Sequence, residues 1–420
     1  MVGPTSYFDP ARVGELDPAT AALVQRRAAA LGPAYRLFYR EPLEFVRGDG
    51  AHLFTADGED YLDAYNNVPS VGHAHPRVVA AIAEQAARLN THTRYLSEPT
   101  VAYAEQLLAT MPDSIGHLML TCTGSEANDL ALRIARAATG GTGVIVTEYA
   151  YHGVTSEVAA FSPSLVGPDA VAPWVRMIPA PRPGLDFAQG VRDALESLTA
   201  AGLSPAALIV DTIFASDGCF PEVPGFAEAV AEVRAAGGLF VADEVQPGFG
   251  RLGEGMWGFG RHGLEPDLVT MGKPMGNGHP VAGLAGRPEP IAAFAAQSRY
   301  FNTFGGNTVS IAAAQATLDV LREEGLIENA RRVGTRLRDE IAALGSEHVR
   351  AVRGAGLFIG VDLPDEAFTL DVVNALRERR VLLAASGPDN ASLKIRPPLV
   401  FTDADADRLL TELAGVLSRP

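Results

Sequence analysis

The stretch "HLMLTCTGSEANDLALRIARAAT" (117–139) decides the fold. Residues 117–123 read as a short apolar strand. Residues 124–139 then carry apolar side chains at helical spacing, and Gly140–Gly141 supply the stop. The same alternation continues outward. "GVIVTEY" (143–149) and "ALIVDT" (207–212) are strand-like, and "FAEAVAEVRAAGG" (226–238) is a helix closed by glycines. "LFVADEV" (239–245) is an apolar strand ending in two acids, and "DLVTMGK" (267–273) is another strand. Near-continuous apolar strands alternating with helices predict an α/β fold whose mostly parallel sheet is covered on both faces.

From Ser310 the pattern changes. "SIAAAQATLDVLREEGL" (310–326) and "ENARRVGTRLRDEIAALG" (328–345) read as long amphipathic helices. "VRGAGLFIGVDL" (352–363), "RRVLLAAS" (379–386) and "SLKIRPPLVFT" (392–402) read as strands of a smaller α+β unit. The expected organisation is a large domain over 61–308, a small domain over 309–420, and an N-terminal segment, 1–60, that packs with the small domain.

The chain has 420 residues with 47% apolar content, enough for a sizeable core. A net charge of −16 disfavours nucleic acid or an anionic membrane as partner. No apolar run reaches membrane-spanning length, and the first residues lack the pattern of a secretory signal, so the expected location is the cytosol. Cys122 and Cys219 are too few for a disulfide framework or a four-ligand zinc set.

Several short motifs carry possible chemistry. "GFGRLG" (248–253) matches a dinucleotide fingerprint, but the glycine-rich "EGMWGFG" that follows cannot be the helix that such a site needs. His73 and His75 in "GHAHP" could bind a metal, yet no further ligand set stands out, so no metal is expected and the pair reads as structural or pocket-lining. Gly124 and Ser125 open a helix after a strand, a place where free N–H groups bind phosphate; an ordinary helix cap would read the same. Asp243 ends a buried strand and needs either a cation or a capping role.

Lys273 follows another strand end, in "VTMGKPMGNGHPVAG" (269–283). Among 34 Lys and Arg residues the only lysines are Lys273 and Lys394. A surface lysine is the ordinary reading, whereas a desolvated one can form a Schiff base, which a guanidinium does not readily do. A phosphate cup, a carboxylate for a protonated pyridine nitrogen and a Schiff-base lysine together are what pyridoxal phosphate requires. Tyr151, after the strand 143–149, could stack on its ring.

"GSEANDLALRIAR", "YHG", "FVADEVQPGFGRLG", "PDLVTMGKPMGNGHPVAG", "FNTFGGN" and "VRGAGLFIG" make the chain resemble the class III aminotransferases, pyridoxal-phosphate enzymes of fold type I. The resemblance implies that Lys273 is the Schiff-base lysine and moves the substrate proton. It implies that Asp243 pairs with the pyridine nitrogen, that Val245 and Tyr151 cover the ring faces, and that Gln246 approaches the ring hydroxyl. Gly124 and Ser125 would hold the phosphate, with His152 of "YHG" also at the cofactor. Thr303 would reach the phosphate of a neighbouring subunit in a homodimer. Asn67, Lys394 and Arg396 would line the substrate pocket.

Two departures bear on the substrate. Where many members carry a gating glutamate this chain has Ser216, and where they carry its partner arginine it has Lys394. Lys394 could equally be a solvated strand residue. "TMGKPMGNGHPVA", "NNV" and "LKIRPP" are similar to the alanine–glyoxylate aminotransferase 2-like branch, some members of which are phospho-lyases. The resemblance therefore implies transfer of an amino group from a primary amine or amino acid to a keto acid. Its alternative is elimination of phosphate from a phosphorylated amine.

Overall fold

The computed structural model describes residues 7–418. The helix read from the opening stretch forms over Gly124–Thr139, capped by Thr123 in a reciprocal capping box with Glu126 and ended by Gly140 in the left-handed conformation. Strands β1 (Arg47–Asp49), β2 (His52–Phe54) and β3 (Asp60–Asp63) come before it. The central sheet uses β4 (His117–Thr121), β5 (Gly143–Thr147), β6 (Val175–Ile178), β7 (Pro205–Asp211), β8 (Leu239–Asp243), β9 (Leu268–Met271) and β10 (Ala282–Gly286). Their order across the sheet is β4-β10-β9-β8-β7-β5-β6.

The pairs from β6 through β5, β7 and β8 to β9 are parallel, as expected. The exception is β10, which runs antiparallel between β4 and β9. Its sequence, Ala-Gly-Leu-Ala-Gly, has no strand signal. Small residues are required there, because a Cβ at Gly286 would lie 2.6 Å from Leu268. Alternate residues of the parallel strands feed two cores. Ile145, Leu208, Val210, Phe240 and Ala242 face one side. Val144, Val146, Ala207, Ile209 and Val241 face the other. That two-sided burial explains the near-continuous apolar runs.

The C-terminal strands are β11 (Ala351–Ala355), β12 (Phe358–Asp362), β13 (Val381–Leu382), β14 (Ala384–Ser386) and β15 (Ser392–Ile395). An antiparallel sheet of order β11-β12-β15-β14 carries Lys394 opposite Gly360. The remaining sheet, β1-β2-β3-β13, joins residues from both ends of the chain. His52 strengthens that join, with Nδ1 2.8 Å from Asp60 and Nε2 3.0 Å from Asp405.

The "GFGRLG" segment has a packing role. It forms turns, and its glycines admit close contacts with the C-terminal unit. At Gly250 a Cβ would lie 2.5 Å from Ile327, and at Gly253 2.6 Å from the backbone of Arg331. Both have positive φ, 79° and 77°, so a side chain is excluded twice over. Leu357 N–H donates to the Arg251 carbonyl at 3.0 Å, and a Cβ on Gly356 would approach that oxygen to 2.4 Å.

Gly334, inside the helix Leu326–Ala343, allows the closest of these approaches, since its Cβ would sit 1.9 Å from the Gly356 carbonyl oxygen. Alanine gains about 1 kcal/mol in helix propensity, but an overlap of this depth forces the backbone apart. Gly334→Ala is therefore expected to lower stability by roughly 2–4 kcal/mol, read from the denaturant midpoint. A midpoint at or above that of the parent chain would contradict this packing.

Candidate active site

One cavity at the C-terminal edge of the parallel strands brings together Gly124, Ser125, Tyr151, His152, Asp243, Val245, Gln246 and Lys273. These residues come from stretches far apart in sequence, and their meeting place is where open α/β sheets bind ligands. Asp211 and Gly153 line the same cavity. Asp211 ends β7 and stands directly opposite Asp243 in the sheet register. "ALIVDT" (207–212) reads only as a strand in the sequence, although a carboxylate at its C-terminal end, Asp211, is the same signal that marks Asp243.

Asp243 is 4% exposed and surrounded by donors. Its Oδ2 accepts from Asn128 Nδ2 at 2.9 Å and from His152 Nδ1 at 2.7 Å, and its Oδ1 accepts from Val245 N at 3.1 Å. Thr270 Oγ1 donates to Asn128 Oδ1 at 2.7 Å, and Asn128 Nδ2 also donates to His152 O at 2.8 Å. The asparagine amide is thus held one way round, with its N–H2 toward the carboxylate. Neither Asn128 nor Thr270 could be singled out from sequence, because their role depends on contacts between separate elements.

The next acid, Glu244, points elsewhere. It accepts from Thr212 Oγ1 at 2.6 Å, Gly258 N at 2.7 Å and Phe259 N at 2.9 Å. Burial raises its pKa to about 7 against those donors. It fixes the loop after β8 and stays out of the cavity.

Lys273 begins a single 3-10 turn, Lys273–Gly276, two residues after β9. Its φ of 22° is unusual for a side-chain-bearing residue. Its ammonium makes no hydrogen bond or ion pair among the described residues. Burial, and then the charge of Arg396, lower its pKa, while Asp243 and Asp211 oppose the shift. A partly desolvated, partnerless amine of this kind suits covalent attachment to a carbonyl.

The end of the cavity at the helix Gly124–Thr139 fits a phosphate. The capping box engages the N–H groups of Thr123 and Glu126, leaving those of Gly124 and Ser125 without side-chain caps. A Cβ at Gly124 would come within 2.9 Å of Val245, and one at Gly153 within 2.4 Å of Ser125 Oγ. Larger residues would fill this cradle.

Arg396 and Lys394 lie outside the cavity lining; Arg396 Nη1 donates to Asn67 Oδ1 at 2.6 Å and to Gln246 Oε1, a lining residue, at 2.7 Å. Its guanidinium lies 4.4 Å over the Tyr65 ring. Asn67 is buried and lies behind Arg396, outside the cavity. Lys394 is partly buried in β15. Among the described residues neither Lys394 nor Arg396 has a carboxylate within ion-pair distance. Thr303 is exposed and outside its own chain's cavity. His73 and His75 turn to different acids, Asp63 at 2.7 Å and Glu324 at 3.3 Å. Among the described residues no group of three or more His, Cys, Asp or Glu side chains is placed to hold a metal.

This sheet, with a lysine, a carboxylate and a helix N-terminus at its edge, defines a pyridoxal-phosphate enzyme of fold type I. Residues 39–417 match the family model for class-III aminotransferases, and the chain belongs to that family. A phospholyase from Arthrobacter, solved in complex with phosphoethanolamine, is 42% identical with a TM-score of 0.91, covering 95% of this chain and 100% of that one. The alanine–glyoxylate aminotransferase 2-like protein of Drosophila melanogaster is 39% identical over 92% of this chain and 85% of its own length. The ethanolamine-phosphate phospho-lyase homolog 1 of Caenorhabditis elegans is 34% identical over 94% and 93% of the two chains. No helix among the described residues is long and apolar enough to cross a membrane.

Replacing Asn128 by leucine removes a hydrogen bond to a buried charge, worth about 1.5–3 kcal/mol. Asn128→Leu is expected to bind pyridoxal phosphate roughly ten- to a hundredfold more weakly, measured by titrating the apoenzyme. Unchanged affinity would show that the Asp243 donors have no bearing on the cofactor.

Proposed function

We propose that this class-III enzyme is a phospho-lyase that eliminates phosphate from a small phosphorylated primary amine such as phosphoethanolamine. The observation that carries the reading is the anion end of the site. Lys394 and Arg396 have no carboxylate at ion-pair distance, and the resemblance puts Ser216 at the position where many family members carry an acidic gate. Unpaired, partly desolvated cations are costly unless an anion joins them. A phosphate dianion satisfies both, and the 42% identical phospholyase was solved with phosphoethanolamine.

Lys273 would be the covalent attachment point, with Asp243 at the pyridine nitrogen and Val245 and Tyr151 on the two ring faces. Gln246 would face the ring hydroxyl, while Gly124 and Ser125 receive the phosphate. His152 would act by orienting Asp243. The bound cofactor supplies an electron sink for negative charge developing at the amine-bearing carbon. Lys273 would take the proton from that carbon. The C–H electron pair forms a new carbon–carbon double bond while the C–O bond breaks. The phosphate departs with that bond's electrons, held by Lys394 and Arg396, and water then releases an aldehyde and ammonia.

Amino transfer to a keto acid is the second reading, favoured by the 39% identical relative named as an aminotransferase. In that case Lys273 would serve as the proton carrier with no loss of phosphate. We also propose a homodimer in which Thr303 completes the neighbouring subunit's phosphate site. Thr303 is exposed, close in sequence to Phe301, whose ring contacts His92 at 5.5 Å, which in turn stacks on Tyr95, 67% exposed. Unpaired Cys122 and Cys219 fit a reducing compartment, and we place the enzyme in the cytosol.

Incubating the holoenzyme with phosphoethanolamine and no keto acid should release inorganic phosphate. No release, together with turnover of amines only when pyruvate or glyoxylate is present, would replace elimination by transamination. A pH profile tests the anion end separately. Burial, and then the charge of Arg396, push the Lys394 pKa down to about 7, with Asp211 opposing. The ammonium is present below that pH and lost above it, so kcat/KM for the phosphorylated amine should fall as pH rises through about 7. Lys394→Arg keeps its charge and should move this limb upward. A limb at the same pH in the variant would assign it to another group.

A further inference from the structure

A third unpaired cation lies beneath Lys394 and Arg396. Arg251, the arginine of "GFGRLG", is among the largest fully buried side chains, at 2% exposure. Its Nη1 donates to Leu357 O at 3.2 Å and to the Pro397 carbonyl. Its Nη2 has no partner, and no carboxylate lies within ion-pair distance among the described residues. Asp63 is the acid whose charge acts on it, but that carboxylate already accepts from His73 Nε2 at 2.7 Å and from the N–H groups of Tyr65 and Asn66. Arg396 is the cation that acts on it.

The backbone fixes the three cations together. Arg396 N–H donates to Ala64 O at 2.9 Å, and the next carbonyl, Pro397, accepts from Arg251. Lys394 is two residues upstream of Arg396, in β15, which ends at Ile395. Elsewhere the chain pairs its arginines readily: Arg336 meets Glu340, Asp403 and Asp407, and Arg192 meets Asp186, Glu228 and Glu232. Three cations without a carboxylate at ion-pair distance, opposed only from farther off by Asp63 and Asp211, concentrate positive charge here in a chain carrying −16. Two carbonyl contacts would account for an arginine that only ties turns together. They do not account for a full charge buried next to Arg396, where any neutral donor would avoid the repulsion.

We propose that Arg251 is a specificity-determining residue, whose buried charge adds to those of Lys394 and Arg396 and tunes this end of the site to doubly negative groups over singly negative ones. The inference rests on the reading that Lys394 and Arg396 receive the substrate's anion. Arg251 touches neither substrate nor cofactor. It acts through the field at Arg396, which falls off slowly in a poorly solvated interior.

The test compares phosphoethanolamine with 2-aminoethyl hydrogen sulfate, which has nearly the same shape and one negative charge fewer, at a pH where the phosphate is doubly ionised. kcat/KM is measured for the holoenzyme and for Arg251→Lys, Arg251→Gln and Arg251→Met. The phosphate preference is expected to shrink about tenfold in the neutral variants and to stay within about threefold in Arg251→Lys. Equal losses on both substrates, with the parent ratio kept in Arg251→Gln, would reduce Arg251 to a structural clamp and overturn the proposal. Should the neutral variants fold without measurable turnover, binding of the competitive inhibitors 2-aminoethylphosphonate and 2-aminoethanesulfonate decides. The phosphonate preference of the parent and of Arg251→Lys should exceed that of Arg251→Gln by about tenfold, and an equal preference in all three overturns the proposal. Absence of phosphate release from the parent enzyme would remove the elimination reading alone, since the inhibitor comparison reads charge preference without turnover.

Discussion

A carboxyl side chain buried at the end of a strand organises the middle of this protein. Asp243 cannot be left bare in an apolar sheet, so three elements each bring it something. The helix Gly124–Thr139 brings Asn128, the segment after β5 brings His152, and the backbone just beyond β8 brings the Val245 N–H. Satisfying Asp243 also places other groups. The helix that carries Asn128 has Gly124 and Ser125 in its first turn, and Gly124 is pressed against Val245. Strand β9, which carries Thr270 to orient Asn128, delivers Lys273 three residues later. The lysine, the helix terminus and the carboxylate are therefore set by one connected network.

The other end of the site follows the opposite logic, since cations are buried there and acids are kept away. Asp211 is the nearby exception among the cavity-lining residues, and burial, with the adjacent Asp243, raises its pKa to about 6. The sheet register sets Asp211 beside Asp243, and Asp211 remains the acid whose charge acts on Lys394. A network built around a single buried anion lines the cavity, and a cluster of cations lies behind Gln246, outside the lining.

Much of this was legible in the sequence, for a physical reason. Two-sided burial writes β5, β7, β8 and β9 as apolar runs, and the capping residues Thr123 and Gly140 mark the first helix to the residue. Lys273 stood out because arginine replaces lysine almost everywhere else. β10 was illegible because it was selected for small size between two neighbours, which erases strand propensity. Asn128, Thr270 and Asp211 are ordinary residues until the sheet register brings them to the cavity. Arg251 was hidden by a motif whose glycines suggested a nucleotide loop and in fact admit a neighbouring helix.

Those glycines have a consequence for how such an enzyme can change its substrate. Gly250, Gly253 and Gly356 bring the loop after Asp243 against the C-terminal unit with no room for adjustment. The span between the chemistry at Lys273 and the cations on β15 is therefore a ruler of set length. A chain built this way measures its substrate from amine to anion. Evolution can re-mark the ruler only by changing how far a side chain reaches, as with lysine for arginine at 394 or serine for an acid at 216, because the backbone beneath has nowhere to slide.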